Sequence, residues 1–268
     1  MKAAVLVTAD NFIRAESDLY FSNIVGDGGF GRFTHIRELT PMDKQLVVRS
    51  NRDTLYSAGV FDLDGGPVTI TMPDPGGRFM SMQVITEDHY VPAVFYGQGE
   101  HTLTRDDVGT RYVMVAIRTL VNPNDEADLD EVHALQDAIA VQQDGTGSFE
   151  IPDWDALSQK AVRGALLRLA ATLPDSKKMF GTKEDTDPVR RLIGSAAAWG
   201  GNPEKDAIIS ASTRPKTTAP QCIGCPWTRC RSMGSGRSPS TTKTVTSHQT
   251  REMPIRSTIS LPSAAPVE

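Results

Sequence analysis

QLVVRSNRDTLYSAGVFDLDGGPVTITMPDPGGRFMSMQVITEDHY, residues 45–90, is the stretch whose reading decides the fold. In PVTITM, Val68, Ile70 and Met72 share one face while Thr69 and Thr71 share the other, the alternation of a half-buried strand. The same spacing in RFMSMQVI points Met80, Met82 and Val84 inward. Turn residues in DLDGGP and MPDPGG separate these runs. Continued along the chain, the pattern predicts strands over 45–49, 54–62, 67–72, 78–86, 90–96 and 111–120. Strands spaced this closely, with no helical pattern between them, pair antiparallel, so a sandwich or open barrel is expected rather than a wound parallel sheet.

Helical periodicity flanks this core. Thr8 or Asp10 can cap a helix over 11–25 that places Phe12, Ile13, Leu19, Tyr20 and Ile24 near one face. Three further helices are predicted over 128–143, 154–173 and 188–198. Leu129, Val132, Leu135 and Ile139 recur at helical spacing in the first, and Asp187 and Pro188 start the last. The expectation is an α+β fold: a β-rich antiparallel sandwich or open barrel, an N-terminal helix, and three C-terminal helices packed on the sheet.

The composition divides the chain. Of 268 residues, 208–268 carry eight Lys or Arg against two acids, and 27 of these 61 are Ser, Thr or Pro. With a net charge of −5 overall, the front therefore carries −11, and it holds 16 of the 17 aromatic residues. Too few large apolar groups remain in the rear to offset the entropy of ordering it. We expect a folded domain over 1–207 and an unstructured tail over 208–268. The acidic front disfavours nucleic acid. The apolar run Ala3 to Val7 is shorter than a signal-peptide core or a membrane span, so no membrane insertion and a cytoplasmic location are expected as the sequence is written.

The strings VVRSNRDTLYS, FDLDGGPVTITMPD, GRFMSMQVITEDHY, GTRYVMVAIRTLV and HALQDAI resemble the bacterial family called domain of unknown function 1254 over residues 8–206. The most specific part is Arg49, Asn51, Asp53, Thr54, Leu55 and Tyr56. The resemblance implies a β-rich fold with helical additions and no settled biochemical function. It also implies a second β-sandwich, domain of unknown function 1214, after the first, and export to the periplasm in many members. The tail reads as that companion translated out of frame from near Ile208. Single-codon residues fix three shifted codons: Trp227 before Thr228 gives Asp, Met233 before Gly234 gives Gly, and Met253 before Pro254 gives Ala, all within a strand-and-turn text. On that reading the chain is a truncated fragment without function, and Trp199, Ile208 and Ile209 with the outer faces of the later helices would be left uncovered, a surface for self-association.

The motifs that suggest chemistry each have a plainer reading. Gly26, Gly28 and Gly31 have the spacing of a dinucleotide loop, but a helix enters here where a strand is required, so a helix-terminating loop is expected and no cofactor is implied. Cys222, Cys225 and Cys230 with His248 lack the second ligand pair of a zinc site, and no metal is expected. His35, His101 and His133 stand singly and read as surface or core histidines.

What remains is a polar set within and beside the core. Asp53, His89 and Tyr90 are the catalytic candidates, and Arg49, Asn51, Arg52, Tyr56 and Arg78 the binding candidates. Asp88 and His89, adjacent on a strand, would point to opposite faces and could not form an acid–base pair. Asp53 also suits an Asx turn beside Thr54, and the same corner is where Arg49, Asp53 and Arg78 are expected to lie close together. Two functions follow. One is a non-catalytic binding or structural module for sugar or protein surfaces. The other is a small-molecule hydrolase or other enzyme of the cell envelope, which needs Arg49, Asp53, His89 and Tyr90 in one pocket.

Overall fold

In a computed structural model, residues 4–38 and 53–206 are described. They form an α+β fold in the order α1 (Phe12–Gly26), β1 (Thr34–Ile36), β2 (Thr54–Asp62), β3 (Val68–Met72), β4 (Met80–Thr86), β5 (Ala93–Tyr96), β6 (Gly99–Leu103), α2 (Arg105–Val108), β7 (Tyr112–Leu120), α3 (Glu126–Asp137), β8 (Ala140–Gln143), α4 (Ala156–Ala170) and α5 (Pro188–Ala197). The strand expected over 45–49 and the tail expected to be unstructured lie outside the described residues.

Two antiparallel sheets carry the fold, one in the order β1-β2-β7-β4-β5 and the other β6-β3-β8. Their inner faces meet in one core. Phe61, Met82, Val84, Val113, Val115 and Ile117 come from the large sheet, and Val68, Ile70, Met72 and Leu103 from the small one, all buried. This is the face that alternation assigned to Met82, Val84, Val68 and Ile70.

The opposite face of the large sheet receives α1. Phe21 of α1 packs against Val60, Ile85, Tyr112 and Met114 of β2, β4 and β7 or their margins. A third apolar group then joins the helices: Phe12 and Ala15 of α1, Leu166 and Ala170 of α4, and Ile193 of α5, with Val7, Met179 and Phe180. Because neighbours close on α1 from the sheet, α4 and α5 together, Glu16, Ser17 and Asp18 are buried alongside Phe12 and Phe21, while Leu19, assigned to the inner face from the sequence, is exposed.

The helix expected over 128–143 stops early. Residues 140–143 instead form β8 on the edge of the small sheet, where Val141 opposes Ile70, and Ile139 and Val141 pack on the sandwich core. β-Branched side chains fit that pleated surface at least as well as a helix, and the Gln143 amide donates to the Asp62 and Gly66 carbonyls at 2.8 and 2.9 Å.

The glycine loop closes α1 as expected. Gly28 takes a positive φ of 86°, its N–H reaches Val25 O, and Gly29 N–H reaches Ile24 O, the paired bonds of a Schellman cap. Gly29 O and Gly31 N–H then bracket Val60 of β2. The glycines are therefore spent on ending a helix and docking the chain on a strand.

Candidate functional site

The large sheet separates the catalytic candidates. β2 begins just after Asp53, whereas the turn bearing His89 and Tyr90 follows Thr86, which lies across β7 from Phe61 near the other end of β2. Seven residues of strand at about 3.3 Å each put roughly 20 Å between the two ends. Arg49, Asn51 and Arg52 lie outside the described residues.

At the turn end, Thr86 and His89 close a tight turn, His89 N–H to Thr86 O at 2.9 Å, with His89 at φ 60°, a conformation uncommon for a side-chain-bearing residue. The turn sends its side chains in different directions. Asp88 meets Arg14 of α1 at 2.6 Å, and Glu87 meets the same guanidinium at 3.3 Å and accepts from Tyr112 N–H at 3.0 Å. His89 enters the interior, only 1% exposed, stacked on Trp199 with centroids 5.3 Å apart and edge-on to Phe180 at 5.8 Å. Its Nε2 accepts from Gly200 N–H at 2.9 Å, which puts the proton of the neutral ring on Nδ1, an atom that is buried with no partner. Burial, with the Arg191 charge nearby, pushes the imidazole down to about 3. Tyr90 lies under the Arg191 guanidinium, 4.1 Å from its ring centre.

A second titrating group, Asp18 of α1, stands at this end and carried no local sequence signal. Asp18 accepts from Trp154 Nε1 at 2.8 Å through one oxygen, its other oxygen is buried without a partner, and burial pushes the carboxyl up to about 6. Its signal in the chain was a charged residue on the inner side of an amphipathic helix, readable only once α4 and α5 are known to cover that side. Trp199 was expected to be uncovered but is packed between Tyr20, stacked at 4.4 Å, and His89, with its Nε1 donating to Ser17 Oγ at 3.2 Å.

The β2 end has a different character. Here the Arg78 guanidinium donates to Leu120 O at 3.0 Å, and Asp53 O accepts from Val121 N–H at 2.9 Å. The carboxylates that hold Arg78 come from α3, Asp128 at 2.7 Å and Glu131 at 2.8 Å, and they also raise its proton affinity.

Tyr56 stands in a row. Strand register places Ile36, Tyr56, Arg118, Ser81 and Tyr96 directly opposite one another across all five strands. The row occupies the face that α1 covers further along, because Ala58 and Ala116, two residues on in register, belong to the group packed on α1. Cross-strand neighbours of this kind are in reach of one another. Ile36 is 51% and Tyr96 49% exposed at the two edges, while Ser81 at the centre is buried. Arg118 is half-buried and forms no ion pair among the described residues; its guanidinium lies 5.7 Å from the Phe79 ring centre. Tyr96 OH donates to Asp206 at 2.7 Å, and Gln83 on the same face donates to the Gly200 and Gly201 carbonyls at 3.2 and 3.0 Å.

Among the described residues the other histidines have scaffold partners: His35 Nδ1 lies 2.8 Å from Ser57 Oγ, His133 Nε2 2.9 Å from Arg37 O, and His101 stacks on Phe95 at 3.9 Å. Among the described residues no group of three or more His, Cys, Asp or Glu could hold a metal ion, and no helix is long and apolar enough to cross a membrane.

Comparison with known proteins agrees with the sequence resemblance. The model of the family described as "Protein of unknown function (DUF1254)" matches residues 30–102, which include Ile36, Tyr56, Ser81 and Tyr96 but not β7 with Arg118. The crystal structure of the VPA0106 protein from Vibrio parahaemolyticus is similar in fold, with a TM-score of 0.51 at 14% identity over 72% of this chain. The chain spans 65% of that protein's length. No protein of curated function matches the sequence.

Proposed function

We propose that residues 4–38 and 53–206 form a non-catalytic recognition module whose binding face is the β2 end of the five-stranded sheet. The observation that carries this reading is the row Ile36, Tyr56, Arg118, Ser81 and Tyr96, a polar centre between exposed apolar edges on a face that α1 covers only further along. Exposed Leu120 extends its apolar margin. Aromatic and Arg side chains supply most of the energy at recognition surfaces. Against the enzyme reading, Asp53 and His89 stand at opposite ends of the sheet, and His89, buried and neutral, already uses Nε2 on the backbone. Amide-resolved NMR with a library of small acids, amines and sugars tests the module. Shifts should cluster at Ile36, Tyr56, Arg118 and Tyr96. Hits that gather around His89 and Asp18, with turnover lost in His89→Gln, would replace this reading with the enzyme.

The out-of-frame reading of residues 208–268 and self-association through surface meant for a companion domain belong to the same proposal. Leu157, 81% exposed on α4, and Val189, 65% exposed on α5, support the second. Sequencing the coding DNA across codon 208 and light scattering of the purified chain test the pair. One inserted or deleted base and a mass that rises with concentration are expected; an intact frame and a constant monomer mass would reject both.

A further inference from the structure

We infer that the recognition face takes a small molecule in which a carboxylate is attached to an aromatic ring, with the carboxylate paired to Arg118. This rests on the recognition reading above and adds the chemistry of the ligand.

Arg118 is the first observation. The guanidiniums of Arg14, Arg37, Arg78, Arg111 and Arg163, also part-buried, each meet at least one carboxylate; Arg191, which meets none, donates to the Asp88 carbonyl and covers the Tyr90 ring, whereas Arg118 meets neither a carboxylate nor a carbonyl among the described residues. A planar cation held at a surface with no acid partner among the described residues matches a carboxylate in charge and in fork geometry. Its register neighbour Tyr56 carries a hydroxyl that can donate to the same anion.

The second observation is independent of Arg118. Tyr96, at the end of the row, already holds a carboxylate, that of Asp206: one oxygen accepts from the Tyr96 hydroxyl at 2.7 Å and the other is buried without a partner. The Tyr96 phenol is influenced by the charges of both Asp206 and Arg118, so the three groups share one electrostatic neighbourhood. The face thus receives an acid from its own chain while its cation has no acid partner among the described residues.

The rings set the body of the ligand. Phe79 and Tyr96 pack edge to face with centroids 6.0 Å apart, beside the Arg118 guanidinium. An aryl group can stack on this platform. A sugar would leave the charge of Arg118 unmatched, and an aliphatic amine would meet it with like charge.

Benzoate, benzamide and benzylamine are the probes, followed by amide NMR and by Kd from titration at low ionic strength. Benzoate should shift the signals of Tyr56, Arg118 and Tyr96 and bind at least about tenfold more tightly than benzamide, the fold-change of one charge-assisted hydrogen bond. Added salt should weaken it. Arg118→Gln should erase that preference and Arg118→Lys should keep part of it, with thermal melts showing both variants folded. Asp206→Asn, which keeps an acceptor for Tyr96, should tighten benzoate by about threefold by removing a like charge. Equal shifts at the row from benzoate and benzamide would overturn the acid preference while leaving the recognition face in place. Shifts confined to residues away from the row would overturn both.

Discussion

Replacing Arg163 with Met should destabilise the domain by about 3–5 kcal/mol, the usual cost of leaving one member of a buried ion pair unmatched. Glu16 is 1% exposed, and its carboxylate accepts from Arg163 Nε at 2.8 Å, Arg163 Nη2 at 2.5 Å and the Gln159 amide at 3.0 Å. Without Arg163 the charge on Glu16 has one neutral donor left in an interior built from Phe12, Ala15 and Leu166. Set against a typical net stability of about 5–15 kcal/mol, that loss brings the domain near its unfolding limit at ordinary temperature. Urea unfolding should show a lower midpoint with an unchanged slope. The double variant Glu16→Met with Arg163→Met separates the pair from simple packing, because two apolar residues of similar volume can substitute for a buried pair at little cost. The double variant should recover most of the loss. If Arg163→Met alone cost less than about 1 kcal/mol, the Glu16 carboxylate would have to be hydrated in the fold, contrary to its 1% exposure.

Glu16 also shows where sequence reading stopped. The strands were legible because one face of each meets the sandwich core. Val68, Ile70 and Met72 alternate with threonines, and β2 runs over residues 54–62, the expected range. Alternation is a local record of a two-sided environment, and a sheet face has only two sides. Helix α1 has neighbours on more than two, so its buried set includes Glu16, Ser17 and Asp18, each matched to a partner from a distant element: Arg163, Trp199 and Trp154. Nothing in a single helix encodes those partners.

The segment at 140–143 failed for a related reason. Ile139 continues the helical spacing of Leu129 and Val132, and only the free edge of β3 decides that the chain leaves the helix there. The candidate face was legible at one residue. Tyr56 was singled out within its motif, but Arg118, Ser81 and Tyr96 join it through register across three other strands, a relation that depends on strand order and was invisible before pairing was known.

The largest pH effects should come from Asp18 and His89, and they should oppose each other. The ordinary value of the Asp18 carboxyl is 3.8 and burial pushes it up to about 6, with Glu87 and Asp88 adding to the rise and Trp154 and Arg14 opposing it. Between those values the folded state keeps a proton that the unfolded chain has released. The stabilisation from protonated Asp18 is therefore complete at low pH and is lost as pH rises through about 6. Two pKa units correspond to roughly 3 kcal/mol.

His89 runs the other way. Its ordinary value of 6.5 is pushed down to about 3, so the unfolded chain binds a proton that the folded state refuses. Stability is then complete above about 6.5 and declines as pH falls toward 3, by roughly 4–5 kcal/mol in all. From about pH 4 to 6 the two slopes have equal size and opposite sign, and together they contribute almost no pH dependence. Single substitutions should expose each in turn. Asp18→Asn, which can still accept from Trp154, should make stability climb with pH over this range and should exceed the parent by roughly 3 kcal/mol more at pH 7 than at pH 4. His89→Gln should make it fall with pH over the same range, whatever constant packing loss the substitution adds. Urea midpoints read by tryptophan fluorescence at four or five pH values decide the matter, since Trp154 and Trp199 touch the two groups directly. Parallel pH profiles for the parent and both variants would mean that neither side chain titrates abnormally, and the assignment of a buried acid and a buried neutral imidazole to this end of the sheet would fall.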